Sequence, residues 1–199
     1  MRMFLAIELS DQLRKQLAAL SQHWQDTWGE RLLGNSPRPY PRCSWVRPQN
    51  LHVTLKFLGE VEESRVAEVC SALAQVRLRG VLQLQADRIE LLPPRGPVRV
   101  IAVGLGGDII PLDELHKSIE SECKAIGFPP EGRKYRPHIT LARARVPLHA
   151  VVRPTLVEAA SSHLPAVPMQ VREFVLMESR LHRDAAEYIP LARFGAESS

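Results

Sequence analysis

The sequence predicts a mixed helix-and-strand fold built by duplication, with two like units facing each other across one cleft. Three observations carry that expectation. A His-x-Thr triplet occurs twice, as His52-Val53-Thr54 and His138-Ile139-Thr140, each inside an apolar run of strand character. The order strand, helix, His-x-Thr strand, helix, strand also occurs twice. Apolar positions then repeat at the offset that separates the two histidines: Val66, Cys70 and Leu73 are matched by Val152, Leu156 and Ala159.

Taken in order, Met3 to Leu9 is an apolar run suited to a central strand. Ser10 caps a helix whose inward face is Leu13, Leu17, Leu20 and Trp24, at helical spacing. Residues 26–43 carry Gly29, Gly34, Pro37, Pro39 and Pro41 and read as a loop. Trp45 to Leu58 is a strand holding the first triplet, and Glu62 to Leu78 a helix with Val66, Val69, Cys70, Leu73 and Val76 inward. Val81 to Leu92 is a strand, Pro93 to Pro97 a turn, and Val98 to Val103 a further strand. A helix follows with Leu112, Leu115, Ile119, Cys123 and Ile126 on one face, stopped by Gly127. The second triplet lies on the next strand, after which come a helix from Leu148 to Ser162 and strands at Val167–Met177 and Glu187–Phe194. The alternation Leu82, Leu84, Ala86 slips phase to Ile89, Leu91. The same slip recurs at Val167, Met169, Val171 and then Phe174, Leu176, which predicts a bulge in both copies.

Composition narrows the function classes. Twenty-six basic and twenty-two acidic residues leave a net charge of +4, a mild lean toward an anionic partner. Three cysteines, Cys43, Cys70 and Cys123, are odd in number and in no metal-ligand spacing, which fits reduced thiols in a cytoplasm. No apolar run reaches the length of a membrane span, and no secretory leader pattern opens the chain. The expectation is a cytoplasmic monomer with no membrane association, one domain over 1–199 made of two pseudo-symmetric lobes.

Side chains two apart on a strand share a face, so His52 stands with Thr54 and His138 with Thr140. Strict alternation sends Leu51, Val53, Leu55 and Phe57 to the opposite face. Two histidines across a cleft can serve as general acid and general base without a metal, because an imidazole titrates near ~6.5. Two threonine hydroxyls can donate to the non-bridging oxygens of a phosphate. That set suits in-line displacement at a strained cyclic phosphodiester. Arg133, Lys134, Arg136, Arg143 and Arg145 crowd the second triplet and favour an anionic polymer or nucleotide. Two histidines with no His-x-His, Cys-x-x-Cys or acidic cluster are too few for a closed zinc site, so neither a metal nor another cofactor is expected. Gly127 and Gly132 precede a strand, which breaks the phosphate-loop pattern. Gly104-Leu105-Gly106-Gly107 lacks the third spaced glycine of a dinucleotide fingerprint. His23, His116, His149, His163 and His182 have no partner pattern and are assigned to the surface or to helix faces.

At these residues the chain resembles a known family. Trp45-Val46-x-Pro48-x-Asn50-Leu51-His52-Val53-Thr54-Leu55-Lys56-Phe57-Leu58-Gly59-Glu60 and Arg136-Pro137-His138-Ile139-Thr140-Leu141-Ala142-Arg143 are similar to the two signatures of the two-histidine phosphoesterases. Within them the chain is most similar to the bacterial RNA 2′,3′-cyclic phosphodiesterases, also called 2′-5′ RNA ligases. Arg2 to Leu9 and the tail around Ser179 and Tyr188 also fit, while the proline-rich 26–43 stretch is longer than the family's connection. The resemblance implies a bilobal α+β fold, with two antiparallel sheets flanking a central cleft. It implies metal-free opening of RNA ends bearing a 2′,3′-cyclic phosphate to a 2′-phosphomonoester. His52 would protonate the departing 3′ oxygen, His138 would activate water, and Thr54, Thr140 and Arg143 would hold the phosphate. Arg143 lies an odd number of residues from His138, so its role requires the strand to end or bulge near Ala142.

Overall fold

Strand β1 (Arg2–Glu8) is apolar from Met3 to Ile7, and all five of those side chains are buried. A strand covered on both faces belongs inside a sheet, and β1 runs antiparallel between two neighbours. The computed structural model describes residues 1–31, 43–161, 164, 167–182 and 186–195. Helix α1 (Asp11–Arg31) follows, with Ser10 Oγ accepting the Leu13 N–H at 3.3 Å and Leu13, Leu17, Leu20 and Trp24 buried. The expected loop therefore begins later than 26. A lone Gly29 costs a helix only about 1 kcal/mol against alanine, too little to end one so anchored. Positions 32–42 of that loop lie outside the described residues.

The remaining elements are β2 (Cys43–Trp45), β3 (His52–Glu60), α2 (Val66–Leu73), β4 (Leu82–Leu92), β5 (Val98–Gly107), α3 (Ile109–Ala125), β6 (His138–Leu148), α4 (Arg153–Ser161), β7 (Pro168–Val171), β8 (Glu173–Leu181) and β9 (Ala186–Gly195). Several are shorter or more broken than the periodicity implies. The single strand expected over Trp45–Leu58 is two, because Pro48 opens a 3-10 turn (Pro48–Asn50) between β2 and β3. The helix expected over 62–78 is a 3-10 turn (Glu63–Arg65) followed by the short α2. The last helix starts at Arg153, with Pro154 inside its first turn, rather than at Leu148, which ends β6. Ser162 lies outside the described residues.

The strands run in the order β7-β4-β5-β6-β3-β1-β8-β9, all pairs antiparallel, with β2 added to β6. The fold is thus α+β, with a curled antiparallel sheet and few helices. Its two four-stranded halves, β6-β5-β4-β7 and β3-β1-β8-β9, are joined by one residue pair, Val53↔Ile139. Each half takes in a strand from the other copy: β4 joins β5, and β8 joins β1. The predicted phase slip takes two forms. In β4 it is a register shift between Ala86 and Arg88. Eighty-five residues on, it is the break at Arg172, where the chain leaves β4's side as β7 and joins β1 as β8.

The sheet face opposite His52 and His138 packs on the helices. Val53, Leu55, Ile101, Val103, Ile139 and Leu141 share one core with Leu13, Leu17, Leu73, Leu112, Ile119 and Leu156. Cys123 is buried and Cys70 only partly so. His116 is buried as well, stacked beneath Tyr135, and is not a surface residue. No described helix is long and apolar enough to cross a membrane.

Candidate active site

The pair Val53↔Ile139 organises the site. Both side chains are fully buried in the core, so their neighbours turn to the other face. In antiparallel register that pairing sets His52 opposite Thr140 and Thr54 opposite His138. That one pair brings the two triplets together where the half-sheets meet: His52, Thr54 and Thr140 line one cleft, and the charge of His138 is felt at His52.

Both imidazoles are oriented in the same way. His52 Nδ1 lies 2.7 Å from the Asn50 carbonyl oxygen, and His138 Nδ1 lies 2.7 Å from that of Arg136. A carbonyl can only accept, so each Nδ1 carries the proton, and each Nε2 is the atom left to give or take one. His52 Nε2 is 3.0 Å from Thr54 Oγ1. Asn50 is itself held, its buried side-chain amide donating to Ala186 O at 2.7 Å. Burial lowers the His52 pKa below the usual imidazole value. The Asn50 carbonyl opposes that shift, and the charges of Arg143 and His138 add to it. The net effect favours the neutral form of His52.

Strict alternation fails in both central strands at the same place. In β3 the pairing steps from Ala6↔Thr54 to Leu5↔Lys56, two residues against one. In β6 it steps from Ala102↔Thr140 to Ile101↔Ala142. Leu55 with Lys56, and Leu141 with Ala142, are consecutive buried residues. The residue after each bulge returns to the cleft face. On β6 that residue is Arg143, which the sequence could place in the site only through such a bulge. On β3 it is Phe57, which alternation had assigned to the opposite face. Phe57 is 59% exposed and lines the same cleft.

The cleft has a volume of about 280 Å³, and His52, Thr54, Phe57, Thr140, Arg143 and Tyr188 are among its walls. One wall is aromatic. Phe4 lies 5.0 Å from the His52 ring and 4.9 Å from Tyr188, and Tyr188 meets His52 edge-on at 5.3 Å between centroids. Burial raises the Tyr188 pKa against the pull of Arg143 and Arg2, which keeps its phenol protonated. Arg133, Lys134, Arg136, Arg143 and Arg145 are all exposed around the second triplet. Another cavity, of about 340 Å³ between Arg77–Leu82 and α3, holds no histidine or threonine and converges on no acid–base pair. Among the described residues no three or more His, Cys, Asp or Glu side chains gather as metal ligands would.

Of the five residues the sequence singled out, His52, Thr54, Thr140 and Arg143 line this cleft, and His138, on the neighbouring strand β6, is not among its lining residues. Sequence reasoning missed Phe57, Phe4 and the two orienting carbonyls. The signal for Phe57 was available: it stands at the same offset from His52 as Arg143 does from His138.

Comparison with known proteins places this arrangement. The family model described as LigT-like phosphoesterase matches residues 33–102 and 109–187. The chain belongs to that family. It is 28% identical over 195 residues to an Escherichia coli protein named RNA 2′,3′-cyclic phosphodiesterase, covering 97% of this chain and 95% of that one. A protein of the same name from Aeropyrum pernix is 34% identical over 100 residues, 50% of this chain and 56% of its own length. The crystal structure of E. coli LigT complexed with 3′-AMP superposes with a TM-score of 0.70 at 25% identity, over 99% of this chain and 98% of that one. A Thermus thermophilus structure at 22% identity, with a TM-score of 0.74 over the whole of both chains, shares the fold.

Proposed function

We propose that this LigT-like phosphoesterase hydrolyses 2′,3′-cyclic phosphate ends of RNA to 2′-phosphomonoesters, using its two histidines and no metal. The observation that carries the reading is that the pair Val53↔Ile139 brings the two His-x-Thr triplets together, with both Nδ1 atoms tied back by carbonyls. The names of the relatives, and the nucleotide in the E. coli LigT structure, support it.

In this reading Thr54, Thr140 and Arg143 hold the non-bridging oxygens of the cyclic phosphate. His138 Nε2 takes a proton from water as its oxygen bonds to phosphorus. The P–O3′ bond breaks on the opposite side, and the proton on His52 Nε2 passes to O3′. The products are a 2′-phosphomonoester and a free 3′-hydroxyl. His52 must be charged to play that part, although burial and Arg143 favour its neutral form. The phosphodiester anion supplies the missing partner, since an opposite charge at close range favours the protonated imidazole. Phe57 and Tyr188, with Phe4 buried behind them, offer π-faces beside the phosphate site, which suits the terminal nucleobase. The exposed arginines and Lys134 suit the backbone of a longer strand.

The test is incubation with an oligonucleotide ending in 2′,3′-cyclic phosphate, in the presence of excess chelator, with identification of the product isomer. A 2′-phosphomonoester formed at undiminished rate is expected. Activity lost on chelation and restored by a divalent ion would refute the mechanism. Binding without turnover would mark the chain as an RNA-end-binding module, and joining to a 5′-hydroxyl strand would mark it as a ligase.

A further inference from the structure

On one side β3 is fully paired with β1, but on the other it meets β6 only at Val53↔Ile139. Beyond that pair no further β3–β6 pairing occurs, and among the described residues the edge of β3 from Thr54 to Phe57 has no strand beside it. Backbone groups on such an edge need other partners. They find them in the segment that leads from α3 into β6. The Tyr135 hydroxyl donates to the Thr54 carbonyl at 3.3 Å, and the Phe57 N–H donates to Glu131 Oε1 at 3.4 Å. Lys56, fully buried by the bulge, donates to Glu120 Oε1 at 2.8 Å and to the Pro129 carbonyl at 3.0 Å. The Glu131 N–H returns to Glu120 Oε2 at 3.4 Å.

Tyr135 is held in place from below. Its ring stacks on His116 of α3, 3.9 Å between centroids and 6° from parallel. Burial, then the nearby Glu131 and Asp113, push its pKa upward, so the phenol keeps its proton and remains a donor. One residue further on, the Arg136 carbonyl accepts from His138 Nδ1. Residues 135 and 136 thus touch a functional residue in each central strand, and Arg133 and Lys134 are exposed immediately before them.

We infer that residues 129–136 form a strap across the open edge of β3, and that Tyr135 is a positioning residue that sets Thr54 through its carbonyl. The inference rests on the reading of Thr54 as a phosphate-holding residue. Tyr135 itself is placed behind the strand and need not touch substrate. Because the strap also carries the basic residues and orients His138, a strand held by Arg133 and Lys134 bears on both triplets at once.

The experiment is a double-mutant cycle between Tyr135→Phe and Thr54→Val, with kcat and KM measured on the cyclic-phosphate oligonucleotide. Tyr135→Phe keeps the stack on His116 and removes only the hydroxyl. A fall in kcat of about 3- to 10-fold is expected, the range that the net worth of one hydrogen bond sets, with little change in KM. In the Thr54→Val background the same change should cost almost nothing, because the tyrosine acts through that threonine. Losses that simply add, or a Tyr135→Phe variant indistinguishable from wild type, would overturn the inference. The Thr54 carbonyl 13C shift, compared in folded wild type and Tyr135→Phe, reports the hydrogen bond independently of activity. If wild type does not turn over the oligonucleotide, the functional reading fails by itself. The strap is then tested by inorganic phosphate titrated against the Thr54 amide resonance. Weaker binding on Tyr135→Phe, abolished as an effect in the valine background, supports it, and unchanged binding overturns it.

Discussion

Removing the carboxylate of Glu120 should destabilise the protein far more than removing the ammonium of Lys56. Lys56 is fully buried, and Glu120 retains 16% of its side-chain exposure. Lys56 Nζ has two partners, Glu120 Oε1 at 2.8 Å and the Pro129 carbonyl at 3.0 Å. Glu120→Leu leaves a buried ammonium with a carbonyl alone, the situation that costs about 3–5 kcal/mol when one member of a buried pair is lost. Lys56→Met leaves a carboxylate that can reach water and still accepts from the Glu131 N–H. Its cost should be about 1–3 kcal/mol. The double variant Lys56→Met/Glu120→Leu replaces an ion pair by an apolar one and should recover to within about 1 kcal/mol of wild type. Urea unfolding reports each value as a shift of midpoint at constant m. A Glu120→Leu variant within about 1 kcal/mol of wild type would refute the reasoning, as would a double variant no better than that single. Either result would mean that the cost of Glu120→Leu is not that of a buried ammonium left unpaired.

Phe57→Ala should lower kcat/KM on a cyclic-phosphate oligonucleotide by about 1–3 kcal/mol, the usual worth of one base–aromatic stack, while Phe57→Tyr should be nearly neutral. Steady-state kinetics on both variants decide it. His52 and His116 both have pKa values lowered chiefly by burial. The native state therefore disfavours their protonation, and their contribution to stability is intact above the unfolded value of ~6.5 and is lost as pH falls through the folded values. The melting temperature should drop as pH falls below the unfolded value of ~6.5. His116→Phe, which keeps a ring under Tyr135, should flatten that drop when followed by thermal denaturation. The two histidines should part company on leaving groups. His52→Ala should nearly abolish cleavage of the RNA end, where a ribose alkoxide must be protonated, yet spare much of the activity on a nitrophenyl diester. His138→Ala should damage both by ~10²- to 10⁴-fold, since water activation is common to them. Reversed sensitivities would reverse the roles.

The duplicated order and the meeting of the two triplets were legible in the sequence because each rests on a local pattern. Period-two alternation assigned His52 with Thr54 and His138 with Thr140, and short spacing kept the error small. Alternation fails as soon as a bulge intervenes, and a bulge leaves only an indirect trace in one chain. The β4 bulge showed as a shift from Ala86 to Ile89 because the flanking residues alternate cleanly with glutamines. The β3 bulge was hidden by Lys56, a residue expected in solvent, which is buried because Glu120 comes from α3, 64 residues on, to meet it. Nothing local announces that partner. The break at Arg172 was hidden for a related reason. A bulge and a change of sheet produce the same phase slip, and only pairing across the molecule, β7 to β4 and β8 to β1, distinguishes them. Helix ends were misread where tertiary packing overrode a weak stop at Gly29, or where a 3-10 turn replaced the first helical turn at Glu63 and at Ala150.

Under the proposed reading, two nearly symmetric central strands must serve a directional reaction. His, Thr, the bulge and the residue that follows it recur in the same order, with the same Nδ1-to-carbonyl tether. A symmetric site would present identical groups to the two sides of a phosphate, and could not tell the leaving oxygen from the attacking one. The symmetry breaks at the position after the bulge. Phe57 stands there on β3, backed by Phe4 at 6.1 Å and joined by Tyr188 on the same wall. Arg143 stands there on β6, paired with Ser44 of β2 and with Val100 of β5. An apolar π-face favours a base, and a guanidinium favours phosphate oxygens. Under the proposed reading the nucleoside then lies along β3, so that its O3′ falls to His52, and water approaches along β6, at His138. Exchanging the two residues, Phe57→Arg with Arg143→Phe, tests that argument directly. If this asymmetry orients the substrate, the exchanged protein binds the RNA end poorly, because each group then faces the wrong half of the ligand. If it retains wild-type kcat/KM, orientation comes from elsewhere in the cleft, and the aromatic wall is only packing.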